Sequence, residues 1–389
     1  MNIADRWLLP DGVDEVLPPA ASNLERIRRE LLDIFVAWGY DYVIPPMVEF
    51  LESLLTGTGS DLDLKTFKVT DQISGRMMGI RADITSQVAR IDAHSQNKEG
   101  VARFCYSGTV LHARPENMLA SRAPIHVGAE LFGESGSDAD LEIVSLMIES
   151  MQALGLTVMV ELGDVGIFRQ LVQRLAISAA DEELLFALIQ KKAAVELEAK
   201  VKGLALADEH KQLILALPGL CGTEGVLARG QQLFATFPDI VQRLANIADV
   251  ARGVESRFPG LQIYYDLSEL RGYNYHTGIV FAAYLGDARR RVAQGGRYDS
   301  IGRLFGRDRG ATGFDVDLKT LGKFVTLADV PRPVVIAAAG AGIADQQRWQ
   351  KIRELRAAGY IVVESGLQTV AHDFTLNQDG GEWQLTKTN

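Results

Sequence analysis

The chain is short of the residues that would tie it to a special environment. It has only two cysteines, Cys105 and Cys221, among 389 residues. Two thiols neither staple a fold of this size nor build a zinc site, so a reducing cytoplasm and two buried thiols are expected. No uninterrupted apolar run reaches about 18 residues, which argues against a membrane span. The opening stretch from Met1 to Gly12 has neither a basic leader nor a long apolar core, which argues against export. Positive charge is not in excess either. The formal net charge is −10, so the chain has no overall basic surface to release counterions from a nucleic-acid backbone. The local exception is Arg289-Arg290-Arg291 with Arg303, Arg307 and Arg309, which reads as a solvated hairpin end or as a basic patch. Internal repeats and low-complexity segments are also missing.

What remains is an ordinary globular composition, 47% hydrophobic and 23% charged, long enough for two or three domains. Ser22-Asn-Leu-Glu25 has the spacing of a helix capping box. Leu24, Ile27, Leu31, Ile34, Phe35 and Trp38 follow at helical spacing, and Gly39 closes the run. Tyr42–Glu49 is extended but holds Pro45 and Pro46, which suits an edge or interface strand and excludes a central one. Thr66–Thr70 and Arg76–Ile80 read as a hairpin around Asp71–Gly75. Further strands are expected at Ala102–Ser107, Ala123–Phe132, Val158–Leu162, Ile263–Asp266 and Gly278–Tyr284, with a helix at Asp140–Leu154. The pattern is α+β, with a sheet that is mostly antiparallel.

From about Ile167 to Arg257 the texture changes to Leu, Ala, Glu, Lys and Gln, with breaks at Gly203, Pro218-Gly219 and Pro238. This reads as a helical insertion, either a spacer or a surface for a partner. After Asp329-Val-Pro-Arg-Pro333 comes a small α/β unit. It has a strand at Val334–Gly340, a helix at Ile343–Ala358 and a strand from Tyr360 to Glu364. Its last stretch, Asp373–Asn389, reads as polar and irregular. The expected division is therefore 1–166 with 258–328, an insertion at 167–257, and a C-terminal unit at 332–389.

Four segments carry chemistry. They are Thr66–Asp71 with Met77–Thr85, Phe104–Pro115 with Ile125–Gly133, Arg271–Phe281, and Gly295–Asp299 with Gly313–Leu321. The third reads Arg-Gly-Tyr-Asn-Tyr-His-Thr-Gly-Ile-Val-Phe. It is a polar run with three rings and a glycine pair, suited to enclosing a small polar ligand. Together, in this order over some 250 residues, the four resemble the class II histidyl-tRNA synthetases across about residues 5–330.

That resemblance implies a class II synthetase-like antiparallel sheet of six or seven strands flanked by helices, paired with a second copy through the motif 1 region near Pro46. It implies a histidine pocket formed by Asp83, Thr85, His126, Glu130, Arg271, Tyr275 and His276. Asp83 stands where the family has a glutamate for the substrate ammonium. His126 replaces a glutamine, and His276 replaces the second tyrosine of the signature. A carboxylate at Asp83 would still give a charge-assisted hydrogen bond of about 1.5–3 kcal/mol.

The nucleotide half departs from the family. Motif 2 should read Phe-Arg-x-Glu, and Leu111 and Ala113 stand where the arginine and glutamate belong. Motif 3 should end Gly-Leu-Glu-Arg, but the chain has Asp317 for the glycine and Thr320 for the arginine, with Asp315 as an added carboxylate nearby. Lys319, one position off, should point elsewhere. Losing one donor that stabilises a transition state costs about 10²–10³ in rate, so adenylate formation should be abolished. The tail is also shorter than the family's anticodon-binding domain, so tRNA recognition is not expected.

Within the family this combination resembles the non-catalytic paralogues that serve the short-form ATP phosphoribosyltransferase catalytic subunit. The resemblance then implies a regulatory role in histidine biosynthesis, a cytoplasmic hetero-octamer with that subunit, and L-histidine as effector. No catalytic residue, cofactor or metal belongs to the chain itself. Two alternatives stay open: an active synthetase with divergent motifs, and a histidine- or tRNA-sensing regulator of another partner.

Overall fold

The computed structural model describes residues 7–57, 60–115, 120–223, 225–286, 290–328, 331–339, 343–364 and 371–388. Met1, Arg289, Asp329, Gly340 and Asn389, all named above, lie outside the described residues. In chain order the first elements are α1 (Ala20–Ala37), β1 (Asp41–Tyr42), β2 (Val48–Phe50), α2 (Leu51–Leu54), α3 (Ser60–Lys65), β3 (Phe67–Thr70) and β4 (Met77–Ile80). Next come α4 (Thr85–Arg90), a π-helical turn at Ile91–Gln96, β5 (Ala102–Thr109), β6 (Ile125–Phe132), α5 (Ser137–Ala153) and β7 (Val158–Asp164). A helical stretch follows with α6 (Val165–Arg174), α7 (Ala179–Gln190), α8 (Ala194–Lys202), α9 (Asp208–Ala216), the short β8 (Cys221–Gly222), α10 (Val226–Leu233) and α11 (Pro238–Arg257). The chain returns to strands with β9 (Ile263–Asp266), β10 (Ile279–Leu285), β11 (Arg290–Arg297), α12 (Ser300–Leu304), β12 (Ala311–Asp317) and α13 (Leu318–Leu321).

Six strands run antiparallel at the heart of the main sheet, in the order β5, β6, β12, β11, β10, β7. Parallel β1 extends it beyond β5. Parallel β9, with antiparallel β8 outside it, extends it beyond β7. The central count matches the six or seven strands expected, and the short flanking strands bring the sheet to nine among the described residues. The hairpin at 66–80 forms, but β3 and β4 join β2 in a separate three-stranded sheet. The two prolines fall between β1 and β2, both edge strands, where their missing N–H groups cost no ladder bond.

One face of the main sheet packs on α1, α5 and α11. Ile27, Leu31, Phe35, Ile143, Met147, Ile247 and Val254 are fully buried there among strand residues such as Val160 and Leu162. Buried residues of the helical stretch, including Leu185, Val201, Ile214 and Phe234, join the same apolar cluster. On the other side Ile84, Val88, Phe104, Tyr106, Phe132 and Tyr298 form a second cluster.

Two expectations fail here, and two central strands appear that were not foreseen. The capping box does not form: α1 begins at Ala20, directly after Pro19, so Ser22 is already inside the helix and makes no cap bond. Glu25 instead accepts from Arg28 and Arg29, the neighbours one turn on. β11 and β12 are central strands that glycine, arginine and aspartate composition disguised, because packing between neighbours overrides intrinsic strand preference. Cys105 is buried as expected, but Cys221 is half-buried.

Residues 328–389 form a second compact unit, with residues 1–327 as the first. The second unit has β13 (Val334–Ala337), α14 (Ile343–Ala357) and β14 (Ile361–Glu364) as a parallel βαβ, then β15 (Phe374–Asp379) and β16 (Glu382–Lys387). The tail is thus a regular hairpin and not an irregular stretch. Its apolar residues alternate, with Leu376 and Trp383 buried and Phe374 and Leu385 partly so. Gly380 and Gly381, both at positive φ, make the two-residue turn that such hairpins require.

Candidate functional site

The alternation of two paired strands builds the floor of the site. His126, Gly128 and Glu130 of β6 share a face with Gly313, Asp315 and Asp317 of β12, and Glu130 pairs across to Gly313. Gly313 in turn pairs with Gly296 of β11. A Cβ on Gly313 would fall 1.6 Å from Glu130 Oε2, so glycine is what lets the glutamate lie flat over the sheet.

A cavity of about 500 Å³ opens above this floor. Asp83, Thr85, Glu130, Arg271, Tyr275 and His276 all line it, so the structure gathers six of the seven expected residues. Glu130 is fully buried and accepts hydrogen bonds from the hydroxyls of Tyr106, at 3.1 Å, and Tyr298. Burial pushes its carboxyl up to about 8 against those bonds, so it is largely protonated at neutral pH and able to donate. Asp83 accepts from the Thr85 amide at 2.6 Å, and burial with the nearby Asp315 charge raises its pKa.

Tyr275 stacks on Tyr298 with ring centroids 5.0 Å apart, and its buried hydroxyl makes no hydrogen bond of normal geometry, although the Thr85 side chain lies nearby. His276 lies edge-on to Tyr275 at 5.2 Å, and its buried Nδ1 makes no hydrogen bond of normal geometry, although the Arg297 backbone lies within reach of the ring. Burial lowers the His276 imidazole to about 4, which keeps it neutral at physiological pH. A buried polar atom left unpaired costs about 1–3 kcal/mol. Two such atoms on residues that line one cavity are available to pair with a ligand's polar group.

Arg271 is differently engaged from the role expected of it. Its Nη2 donates to Glu161 at 2.6 Å and Glu269 at 2.7 Å, and its amide donates to Glu269. The guanidinium therefore braces two carboxylates at the cavity rim.

His126 lies in the wall of a second, neighbouring cavity of about 850 Å³. Its Nδ1 pairs with Asp315 at 2.7 Å. Burial opposes charging the ring, but Asp315, with Asp83 and Asp317, outweighs it and lifts the imidazole to about 9. Asp315 is correspondingly held low, the His126 charge overcoming its burial.

Here the positions expected to have lost ATP contacts are filled from within. Asp317 caps α13: Oδ1 accepts from the amides of Ile125 and Lys319, and Oδ2 from the amide and hydroxyl of Thr320. Lys319 does not point away. It lines this cavity, and its Nζ donates to Asp14 Oδ1 at 3.1 Å and the Asp14 carbonyl at 3.2 Å. Ser121 donates to the same carboxylate at 2.7 Å. Leu111 and Ala113 are absent from the lining, whereas His112 between them faces in, its Nε2 3.0 Å from the Ala82 carbonyl.

The basic residues named above divide between distant parts of the fold. Arg290 and Arg291 open β11 at the second cavity. Arg307 and Arg309 donate to the backbone carbonyls of Lys98 and Gly100, and Arg303 pairs with Asp308. Sequence reasoning missed Tyr106, Tyr298, Gln294 and Lys65. Tyr106 and Tyr298 lay inside segments already singled out, and strand alternation would have put Tyr106 on the face of Phe104. No sequence signal pointed to Lys65.

Among the described residues no group of three or more His, Cys, Asp or Glu is placed to hold a metal ion, and no helix is long and apolar enough to cross a membrane.

Comparison with known proteins bears on the whole arrangement. A family model described as "Histidyl-tRNA synthetase" matches residues 12–321. An "ATP phosphoribosyltransferase regulatory subunit" of Pseudomonas paraeruginosa is 47% identical over 394 residues, covering 99% of both chains. One of the same description from Teredinibacter turnerae is 48% identical over 94% of this chain and 93% of that one. Among solved structures, an "ATP phosphoribosyltransferase regulatory subunit/histidyl-tRNA synthetase" from Bacillus halodurans C superposes with a TM-score of 0.82 at 25% identity, covering 94% of each chain. The histidyl-tRNA synthetase of Nostoc sp. PCC 7120 shares the fold, with a TM-score of 0.75 at 18% identity over 95% of this chain and 91% of that one.

Proposed function

Because the chain belongs to the ATP phosphoribosyltransferase regulatory subunit family, within the wider histidyl-tRNA synthetase family, we propose that it regulates that transferase and performs no catalysis of its own. It activates the short-form catalytic subunit within a cytoplasmic hetero-octamer and conveys feedback from L-histidine on the first step of histidine biosynthesis. One observation carries the reading. A cavity with an unpaired tyrosine hydroxyl and an unpaired imidazole nitrogen stands beside a nucleotide-side cavity whose key polar groups are consumed by one another.

The first cavity suits an amino acid. Asp83 would accept from a ligand's ammonium group, and Tyr275, His276 and the protonated Glu130 offer complementary bonds to an imidazole. For the second, Leu111 and Thr320 stand where the resemblance puts the arginines for a triphosphate, and Lys319 is taken up by Asp14; Arg290, Arg291 and Lys323 line the cavity, but none stands at those positions. Self-association near Pro46 is supported by the apolar side chains around it: Ile44 is 78% exposed, with Met47 and Val48 also open to solvent. Regulation requires that histidine bind two states of the complex with different affinity.

Co-purification with the short catalytic subunit, and calorimetry of the purified chain with L-histidine, test the proposal. Association and saturable histidine binding are expected. A chain that never associates with that subunit would sink it. Histidine-dependent ATP–pyrophosphate exchange should be absent, and a measured exchange would establish the synthetase reading instead.

A further inference from the structure

The site as described has an ammonium partner and imidazole partners but no evident group for a carboxylate. Three cations line the first cavity: Lys65, Arg271 and Arg291. Arg271 is spent on Glu161 and Glu269, at 2.6 and 2.7 Å through the same nitrogen. Arg291 lies close enough to Glu269 and Asp315 to lower both carboxyls. Lys65 differs, in that its ammonium makes no hydrogen bond or ion pair with any described residue.

Its position is set by the backbone and leaves the side chain uncommitted. Lys65 ends α3, its carbonyl accepts from the Ala113 amide at 2.7 Å, and the Thr66 hydroxyl donates back to Leu62. These bonds pin the end of α3 against the segment that follows β5. Lys65 also lines the second cavity, together with Asp83, Gln294 and Asp315, so it stands on the wall the two cavities share. A ligand whose ring reaches Tyr275 and His276 and whose ammonium meets Asp83 would carry its carboxylate towards that shared wall.

We propose that Lys65 is the carboxylate-binding residue of the first cavity and that Arg271 is a positioning residue locked between Glu161 and Glu269. The site then selects free α-amino acids over the corresponding amines and alcohols, and Lys65 supplies that selectivity. This rests on the amino-acid reading of the cavity given above.

The test is calorimetry of the full chain with L-histidine and with histamine, which lacks the carboxylate, on wild type and on Lys65→Met and Lys65→Arg. A charge-assisted bond lost from Lys65→Met should weaken L-histidine by about 10- to 100-fold. Histamine binding should be unchanged by the substitution, and Lys65→Arg should recover part of the L-histidine affinity. Equal loss for both ligands would overturn the proposal, because it would mean a structural role. L-histidine binding undiminished in Lys65→Met would overturn it while leaving the amino-acid reading intact. Wild type that binds neither ligand would overturn that reading and the proposal with it.

Discussion

The two neighbouring cavities share a wall and a sheet yet treat their polar groups in opposite ways. In the first, the Tyr275 hydroxyl and His276 Nδ1 are buried without partners, and Glu130 is kept neutral by burial. In the second, Asp317, Thr320, Lys319, Asp14, His126 and Asp315 satisfy one another. Unsatisfied polarity is costly in a folded protein and persists where a ligand compensates it, whereas saturated polarity is ordinary structure. The contrast supports the proposal that the first cavity is the one that faces a ligand, and it does so without reference to any sequence motif.

The sharpest way to break the contrast is to fill the first cavity. Gly313→Ala puts a methyl 1.6 Å from Glu130 Oε2. It should destabilise the chain by about 1–3 kcal/mol and leave no measurable heat of L-histidine binding. An unaffected titration would show that Glu130 does not form the floor of the site.

Next in size is a pH effect confined to the second cavity. The His126 pKa is raised from 6.5 to about 9, so its pairing with Asp315 stabilises fully below pH 6.5 and is lost as pH climbs through 9. Thermal unfolding of wild type should therefore weaken by roughly 1–3 kcal/mol over that window, and His126→Gln should flatten the curve. Equal slopes in the two proteins would remove the ion pair from the account.

Smaller again is the cap. Asp317→Ala should lower stability by about 1 kcal/mol while leaving L-histidine affinity within twofold, read by denaturation and calorimetry in parallel. The mildest change is Tyr275→Phe. Removing a hydroxyl that has no partner in the empty cavity should not lower the melting temperature, but histidine affinity should fall about 2- to 10-fold. A drop in stability with unchanged affinity would reverse the assignment of the two regions.

Much of the fold was legible because its signals are local. The 3.6-residue period of α1, the hairpin at 66–80 and the helix-forming composition of 167–257 all survive in the structure. What escaped was set by distant partners. Gly313 of β12 lies beneath Glu130, Gly295 of β11 is crowded by Phe281 and Phe314, and Gly296 by His276, reasons invisible along the strand itself. The hairpin of β15 and β16 was masked by polar residues on its exposed face, although Leu376 and Trp383 kept the period of two. In the site, Asp83, Thr85, Glu130, Tyr275 and His276, which the resemblance grouped, line one cavity. The resemblance could not show that Glu161 and Glu269 would claim Arg271, nor that Lys319 would turn inward to meet Asp14.

The Asp317 cap also bears on history. Its carboxylate now accepts four hydrogen bonds, from the amides of Ile125, Lys319 and Thr320 and from the Thr320 hydroxyl. Glycine at 317 would forfeit all four, whereas arginine at 320 would forfeit only the hydroxyl bond and could pair with the Asp317 carboxylate. On the proposed reading, a return to the synthetase pattern at 317 would therefore be opposed by folding stability, so the fold itself helps to hold that departure in place.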